Sequence, residues 1–167
     1  DGLEDLAVTD GTLESFERWR NSGSTGFEMI DRLSLNIRPL ERGLAIADLD
    51  GDGILDVAVG SAEGFFHVVW SANTPLPAPP LKRPSTADAR QLLAGDFNGD
   101  SDLDLLVARD EPGPAQLFLG NGDGTLADPV AVPALDGWHF DVATGDLDAD
   151  GDLDVVWLDS QNSDPQY

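Results

Sequence analysis

A nine-residue acidic segment occurs three times in this chain and constrains its fold more than any other feature. The copies read DLDGDGILD, DFNGDSDLD and DLDADGDLD, and they begin at Asp48, Asp96 and Asp146, which are 48 and 50 residues apart. The first eight residues, DGLEDLAV, align with residues 52–59, DGILDVAV, so the chain opens inside a fourth copy. A fixed period near 50 residues indicates a repeat architecture.

Each copy places an oxygen-bearing side chain at positions 1, 3, 5 and 9. In a tight turn this spacing directs successive carboxylates toward one centre, and position 7 would add its backbone carbonyl. Hard oxygen ligands in this number suit Ca²⁺, which takes six to eight of them. The sequence therefore predicts about three Ca²⁺ sites, with a partial fourth at Asp1 and Asp5. The predicted ligands are Asp48, Asp50, Asp52, Ile54 and Asp56; Asp96, Asn98, Asp100, Asp102 and Asp104; and Asp146, Asp148, Asp150, Asp152 and Asp154.

Position 6 of the loop is expected to need the positive φ of a sharp turn, which glycine adopts without strain. Gly53 and Gly151 stand there, whereas Ser101 in the middle copy leaves metal binding by that loop open. An EF-hand would need a glutamate at position 12 and flanking helices. Position 12 is instead valine or tryptophan, and a short aliphatic run typical of a strand follows each loop. A solvated acidic turn without metal is the other alternative, and three copies in register argue against it.

Each repeat is predicted to form four antiparallel strands around its loop. Counted from the loops, Trp19, Trp70 and Phe118 share one position, which predicts a recurring core aromatic. Asn-Gly and Asp-Gly pairs predict turns before the outer strands. Prolines in residues 74–84 predict that the middle repeat has an edge strand or a loop at that place. The predicted strands are 44–47, 91–94 and 141–144 before the loops; 54–59, 103–107 and 153–158 after them; 14–19, 65–70 and 116–119 third; and 27–35 and 129–132 outermost.

Four strands per repeat at this period predict an all-β fold made of β-propeller blades. The motif DxDGDGxxD, followed by a short aliphatic strand and later by GNGDGT, resembles the FG-GAP/VCBS repeat of integrin α-chains and many bacterial secreted proteins. The resemblance covers essentially the whole chain and implies Ca²⁺ in the loop between the first two strands of each blade. The Phe-Gly and Gly-Ala-Pro signatures of integrin repeats are absent, so the chain is closer to the bacterial type.

These repeats predict about three and a third blades of a larger propeller with seven or eight blades. The expected divisions are a partial blade at 1–42 that begins inside its Ca²⁺ loop, blades at 43–89 and 90–139, and the start of a further blade at 140–167. We expect the remaining blades to come from the same longer chain; a ring shared by several chains is the alternative.

The formal net charge of −23 makes nucleic acid and anionic membrane surfaces poor partners. His67 and His139 show no ligand spacing, and neither a nucleophile elbow nor a phosphate-binding glycine loop is present. Weak Ca²⁺ sites fill only where the ion is abundant. The sequence therefore favours a non-catalytic module at an extracellular, cell-surface or periplasmic location. The expected role is protein–protein interaction, adhesion or assembly.

Two other functions stay open at this point. The first is a carbohydrate-binding or polysaccharide-lyase-type propeller, for which Trp138, with His139 and Phe140, would form a sugar-stacking platform at a blade edge. Packing between blades is the simpler interpretation of these aromatic residues. The second is a purely structural subunit of a larger complex.

Overall fold

The computed structural model describes residues 2–35, 39–69, 81–85, 88–109, 113–136 and 139–159. These residues form β-strands and turns, with one turn of 3-10 helix at Gly23–Thr25. The strands are β1 Leu6–Asp10, β2 Ser15–Asn21, β3 Phe27–Ser34, β4 Pro39–Ala47, β5 Asp56–Ser61, β6 Phe65–Val69, β7 Leu81–Pro84, β8 Ala89–Gly95, β9 Asp104–Arg109, β10 Pro114–Phe118, β11 Val130–Asp136, β12 His139–Gly145 and β13 Asp154–Asp159.

The strands form four antiparallel sheets in which sequence neighbours are hydrogen-bonded neighbours. The first sheet contains β1 to β3, the second β4 to β7, the third β8 to β11 and the fourth β12 and β13. This arrangement confirms the predicted all-β fold of blade-like four-stranded sheets. The blade boundaries stay predictions; β4 begins at Pro39 and β12 at His139, each somewhat before the predicted division.

Consecutive sheets pack face to face through three apolar clusters. In the largest, Phe66 of the second sheet and Phe118 of the third are fully buried, with ring centroids 4.9 Å apart in an edge-to-face pair. The backbones also approach closely, because a Cβ added at Gly60 would lie 2.0 Å from the carbonyl oxygen of Ala89. Burial of each phenylalanine contributes about 2–3 kcal/mol. The contact between these two sheets is therefore a close-packed core.

The other two clusters join the first sheet to the second and the third sheet to the fourth. Phe16 packs with Val57 and Val59, and Leu106 packs in a cluster with Val142. The sheets thus stack in chain order, as successive blades do. Within the described ranges, no helix has the length and apolar character needed to span a bilayer.

The cross-strand register of the second sheet differs by one residue from that of the first and third. The opposing pairs are Leu6 with Trp19, Val57 with Val69, and Leu105 with Phe118. Three residues separate β5 from β6, whereas four separate β1 from β2 and β9 from β10. A one-residue shift changes which face a side chain occupies. The predicted equivalence of Trp70 with Trp19 and Phe118 is therefore wrong, since Val69 takes that place; Trp70 itself lies outside the described residues.

The strands after the loops begin later than predicted. They start at Asp56, Asp104 and Asp154, the ninth loop residue, rather than at 54, 103 and 153. In loop 48–56 the backbone N–H of Ile54 donates to the Asp52 carboxylate, so this residue still belongs to the loop. The prediction for the proline-rich stretch is confirmed at its end, where the four-residue strand Leu81–Pro84 is the edge of the second sheet.

Candidate metal centres

Each acidic loop joins the first two strands of a sheet. Loop 48–56 connects β4 to β5, loop 96–104 connects β8 to β9, and loop 146–154 connects β12 to β13. β4 and β8 pack against each other, so the first two loops are neighbours. A cavity of about 210 Å³ lies between them and is lined by residues of both.

The aspartate at position 1 closes its loop by accepting a hydrogen bond from the backbone N–H of position 6. All three copies make this bond through Oδ2. The distances are 2.9 Å from Gly53 to Asp48, 2.9 Å from Ser101 to Asp96, and 3.1 Å from Gly151 to Asp146. The serine in the middle loop therefore closes it in the same way as glycine does.

Positions 3 and 5 extend the pattern, since each accepts a hydrogen bond from the backbone two residues further on. Such local bonds are Asx turns, which curl the chain around its own side chains. Position 3 accepts from position 5 in the pairs Asp50–Asp52 at 3.1 Å, Asn98–Asp100 at 2.9 Å and Asp148–Asp150 at 3.2 Å. Position 5 accepts from position 7 in the pairs Asp52–Ile54 at 2.8 Å, Asp100–Asp102 at 2.9 Å and Asp150–Asp152 at 2.9 Å.

The aspartate at position 9 ties the end of the loop back to its start. Its Oδ2 accepts the backbone N–H of position 2, at 2.9 Å from Leu49 to Asp56, 2.9 Å from Phe97 to Asp104 and 2.8 Å from Leu147 to Asp154. The other oxygen of Asp104 accepts the N–H of Gly120, at 2.8 Å. Asp5 makes the matching bond with Asn21 at 2.7 Å in the first sheet. In the first and third sheets, position 9 thus joins the loop to the segment that follows the third strand of the repeat.

Two positions of every loop have a left-handed backbone. The φ angles at position 6 are 85° for Gly53, 76° for Ser101 and 97° for Gly151, and those at position 4 are 73° for Gly51, 77° for Gly99 and 64° for Ala149. The prediction for position 6 is confirmed. Position 4 was missed, although a glycine in two of three copies signalled it. A serine or alanine in this region costs about 1–2 kcal/mol.

In two loops the carboxylates converge as a cation site requires. Ligand atoms of Asp48, Asp50 and Asp56 all lie within 4.8 Å of one another, and those of Asp146, Asp148 and Asp154 do likewise. Asp48 Oδ1 is buried with no hydrogen-bond partner among the described residues. A buried carboxylate oxygen without a partner is costly unless a cation or donor satisfies it. These residues therefore fit a hard cation such as Ca²⁺.

The electrostatics of the middle loop follow from burial and backbone donors. Burial raises the pKa of the Asp104 carboxyl, an effect that hydrogen bonds from Gly120 and Phe97 oppose and that nearby carboxylates reinforce. Desolvation also acts to raise the pKa of Asp96, but the backbone N–H groups of the loop, that of Ser101 foremost, outweigh it and lower this pKa. A bound cation would favour the ionised form of both.

Not every predicted ligand belongs to these clusters. Within the described part of the chain, the two acidic clusters contain positions 1, 3 and 9 of loops 48–56 and 146–154. Position 5 of these loops, Asp52 or Asp150, does not belong to them. The middle loop has an amide at position 3, where Asn98 Nδ2 donates to Asp100 Oδ2 at 2.8 Å. Of the partial fourth site, Asp1 lies outside the described residues.

The other candidate residues stand apart from the loops. His67 is buried in the middle of β6, opposite Val59. Trp138, the centre of the predicted sugar platform, lies outside the described residues, as do the side chains of His139 and Phe140. The acidic loops are therefore the candidate metal centres. The aromatic platform stays a prediction.

Antiparallel four-stranded sheets stacked in chain order, each with an acidic loop after its first strand, define a propeller-type repeat protein. A scan against known protein families matched the FG-GAP-like repeat over residues 1–59 and 62–157. The chain belongs to this family. No curated protein matched the chain.

Proposed function

We propose that this chain is a non-catalytic, Ca²⁺-stabilised propeller module that presents a rigid surface to a protein partner in adhesion or assembly. The proposed location is extracellular, on the cell surface or periplasmic, where Ca²⁺ is abundant enough to fill weak sites. The remaining blades would come from the same longer chain. Membership of the FG-GAP-like repeat family and the stacked sheets support a repeat module of this type.

The observation that carries the metal assignment is the convergence of Asp48, Asp50 and Asp56 around a buried oxygen without a partner. Three carboxylates this close repel one another strongly when no cation is present. The same hydrogen-bond pattern recurs in the other two loops, so the arrangement is built into the repeat. An acidic turn that only faces solvent has no need for such a shared internal pattern.

A bound Ca²⁺ would supply positive charge that neutralises each carboxylate group. Hydrogen bonds within the chain hold the loop in shape. Position 1 closes the loop on position 6, and position 9 joins the start of the second strand to position 2. Because these bonds link the first strand to the second, ordering of the loop would be coupled to folding of the sheet.

A protein partner is favoured over nucleic acid by the net charge of −23. The test is affinity capture with the immobilised protein from the extracellular fraction of its source, in Ca²⁺ and in EDTA, read by quantitative mass spectrometry beside a glycan array. We expect one protein to be retained in stoichiometric amount in Ca²⁺ and lost in EDTA. Reproducible glycan binding without such a protein would contradict the proposal and favour the carbohydrate-binding alternative.

A further inference from the structure

The turn after β10, residues 120–125, contacts metal loops of two neighbouring sheets; we call it the glycine turn. Towards its own sheet, Gly120 donates to the buried Asp104 at 2.8 Å. The Asp102 carboxylate lies against the turn, because a Cβ added at Gly122 would fall 2.3 Å from Asp102 Oδ1. From the preceding sheet, a Cβ added at Gly51 would come 3.5 Å from the carbonyl oxygen of Gly122. The glycine turn therefore lies between the two loops.

The cavity between the two loops is lined by residues of both loops and of the glycine turn. Its walls are Asp48, Leu49 and Gly51 from loop 48–56, Ser101, Asp102 and Leu103 from loop 96–104, and Gly122 from the glycine turn. The cavity has a volume of about 210 Å³. Residues of all three elements therefore border the same small space.

The glycine turn is itself held firmly. Asn121 donates its backbone N–H to the carbonyl of Thr125 at 3.1 Å and its Nδ2 to the Thr125 hydroxyl oxygen at 2.8 Å, while Asp123 Oδ1 accepts both the backbone N–H and the hydroxyl of Thr125. Just beyond the turn, Arg83 Nη2 of the second sheet donates to the carbonyls of Leu126 and Ala127 at 2.7 and 2.8 Å. Hydrogen bonds therefore link residues 120–127 to both the second and the third sheet.

We propose that the glycine turn couples the two loops, so that cation binding at loop 48–56 raises the cation affinity of loop 96–104, and the reverse. The inference rests on the proposed Ca²⁺-binding function. A filled first loop holds Gly51 against the glycine turn, which then holds Asp102 and Asp104 in place before the second ion arrives. The second ion therefore orders less of the chain. Linkage requires the effect to be equal in both directions.

The approach of Gly51 to the glycine turn has no counterpart at the matching glycine of the middle loop. A Cβ added at Gly99, which occupies in the middle loop the position of Gly51, has no described atom within 4 Å. Leu153 of loop 146–154 packs on Gly95, just ahead of the middle loop, but no residue of loop 146–154 lines the cavity between the other two loops. Gly151 therefore tests whether an effect is confined to the two loops that share the cavity.

The first sheet provides a matched control for the glycine turn. Gly23 is the residue in register with Gly122, and their φ angles are 64° and 66°. Alanine at either position meets the same backbone strain, but a Cβ at Gly23 would meet only Leu3 Cδ1 at 3.8 Å. A difference between the Gly23→Ala and Gly122→Ala variants therefore reports the contact with the loops and not the strain.

The experiment is a calcium chloride titration of the ¹⁵N-glycine-labelled protein, followed by NMR. Gly53, Gly99 and Gly151 each report one loop. We expect Gly122→Ala to raise the midpoints of Gly53 and Gly99 about fivefold or more, the lower end of typical coupling, and Gly23→Ala to change them less than about twofold. Asp50→Ala, which leaves the turn unstrained, should raise the Gly99 midpoint by a similar factor and leave Gly151 in place.

An unchanged Gly99 midpoint in Asp50→Ala, with normal Ca²⁺-dependent shifts in the wild type, would overturn the coupling and leave the proposed function standing. Equal effects of Gly23→Ala and Gly122→Ala would also overturn it, since strain alone would then explain the result. No Ca²⁺-dependent glycine shift in the wild type would overturn both proposals. Spectra in EDTA verify that each variant is folded.

Discussion

Replacement of Asp50 by alanine separates a metal-binding carboxylate from a merely structural one. With Ca²⁺ at about 100 times its dissociation constant, one site contributes about 2.7 kcal/mol to stability. Loss of that site lowers Tm by roughly 5–10 °C for a chain of this size. In EDTA the outcome differs, because the side chain then makes only one exposed hydrogen bond, with the backbone of Asp52 at 3.1 Å.

Without the cation, Asp50 also repels its neighbours. Charges 4.8 Å apart, the upper limit of the separation here, interact by about 1 kcal/mol in water and about 3.5 kcal/mol at an effective dielectric constant of 20. Loss of this repulsion offsets loss of a hydrogen bond worth about 1 kcal/mol, so Tm in EDTA should change little or rise. The assay is differential scanning calorimetry in both buffers, with Asp128→Ala, an exposed aspartate outside the loops, as control. An equal drop in Tm in both buffers would refute a metal role for Asp50.

Three further predictions concern the scaffold. Asp104→Asn should destabilise the protein by about 1–3 kcal/mol even in EDTA, because the two oxygens of Asp104 accept the backbone N–H groups of Phe97 and Gly120 and an amide has only one oxygen. Urea denaturation measures this, and a loss of stability seen only in Ca²⁺ would contradict a structural role for these two hydrogen bonds. Gly60→Ala should destabilise the protein strongly, since the added Cβ would lie 2.0 Å from the carbonyl oxygen of Ala89 in the next sheet. Gly145→Ala should cost far less stability, because a Cβ there meets no described atom within 4 Å. Similar urea midpoints for the two variants would argue against the close approach of the sheets at Gly60. The hydroxyl and then the backbone N–H of Thr125 lower the pKa of Asp123. A carboxyl group whose pKa is lower in the folded state stabilises the fold above its unfolded pKa, and this contribution is lost as the pH falls through the folded pKa. An NMR titration of the carboxyl groups should show an Asp123 pKa below the usual value, and Thr125→Val should raise it.

The repeat period and the spacing of the aspartates were sufficient to predict the sheets and the loops. Their information is local, because alternate oxygen side chains accept backbone hydrogen bonds from residues two positions further on and so curl the chain around themselves. The middle loop closes normally at Ser101 for the same reason, because its backbone N–H donates the closing hydrogen bond to Asp96. Side-chain identity at that position determines strain, not closure.

The register of the second sheet was beyond local reasoning. Counting from the loop aligned Trp70 with Phe118, but a shorter hairpin turn puts Val69 opposite Val57. Turn length fixes the register of a hairpin, and counting from the loop assumed that the turns of all repeats have the same length. The approach of Gly51 to the glycine turn was likewise not predictable, because it involves two sheets and depends on how closely they pack.

The most direct test is a thermal melt of the wild-type protein in excess Ca²⁺ and in EDTA, together with metal analysis of protein dialysed to equilibrium against the Ca²⁺ buffer. We expect about three bound Ca²⁺ per chain and a Tm higher in Ca²⁺ by more than about 10 °C, since each filled site contributes about 2.7 kcal/mol. Protein that holds no Ca²⁺ and melts at the same temperature in both buffers would contradict the claim that these loops are structural metal centres.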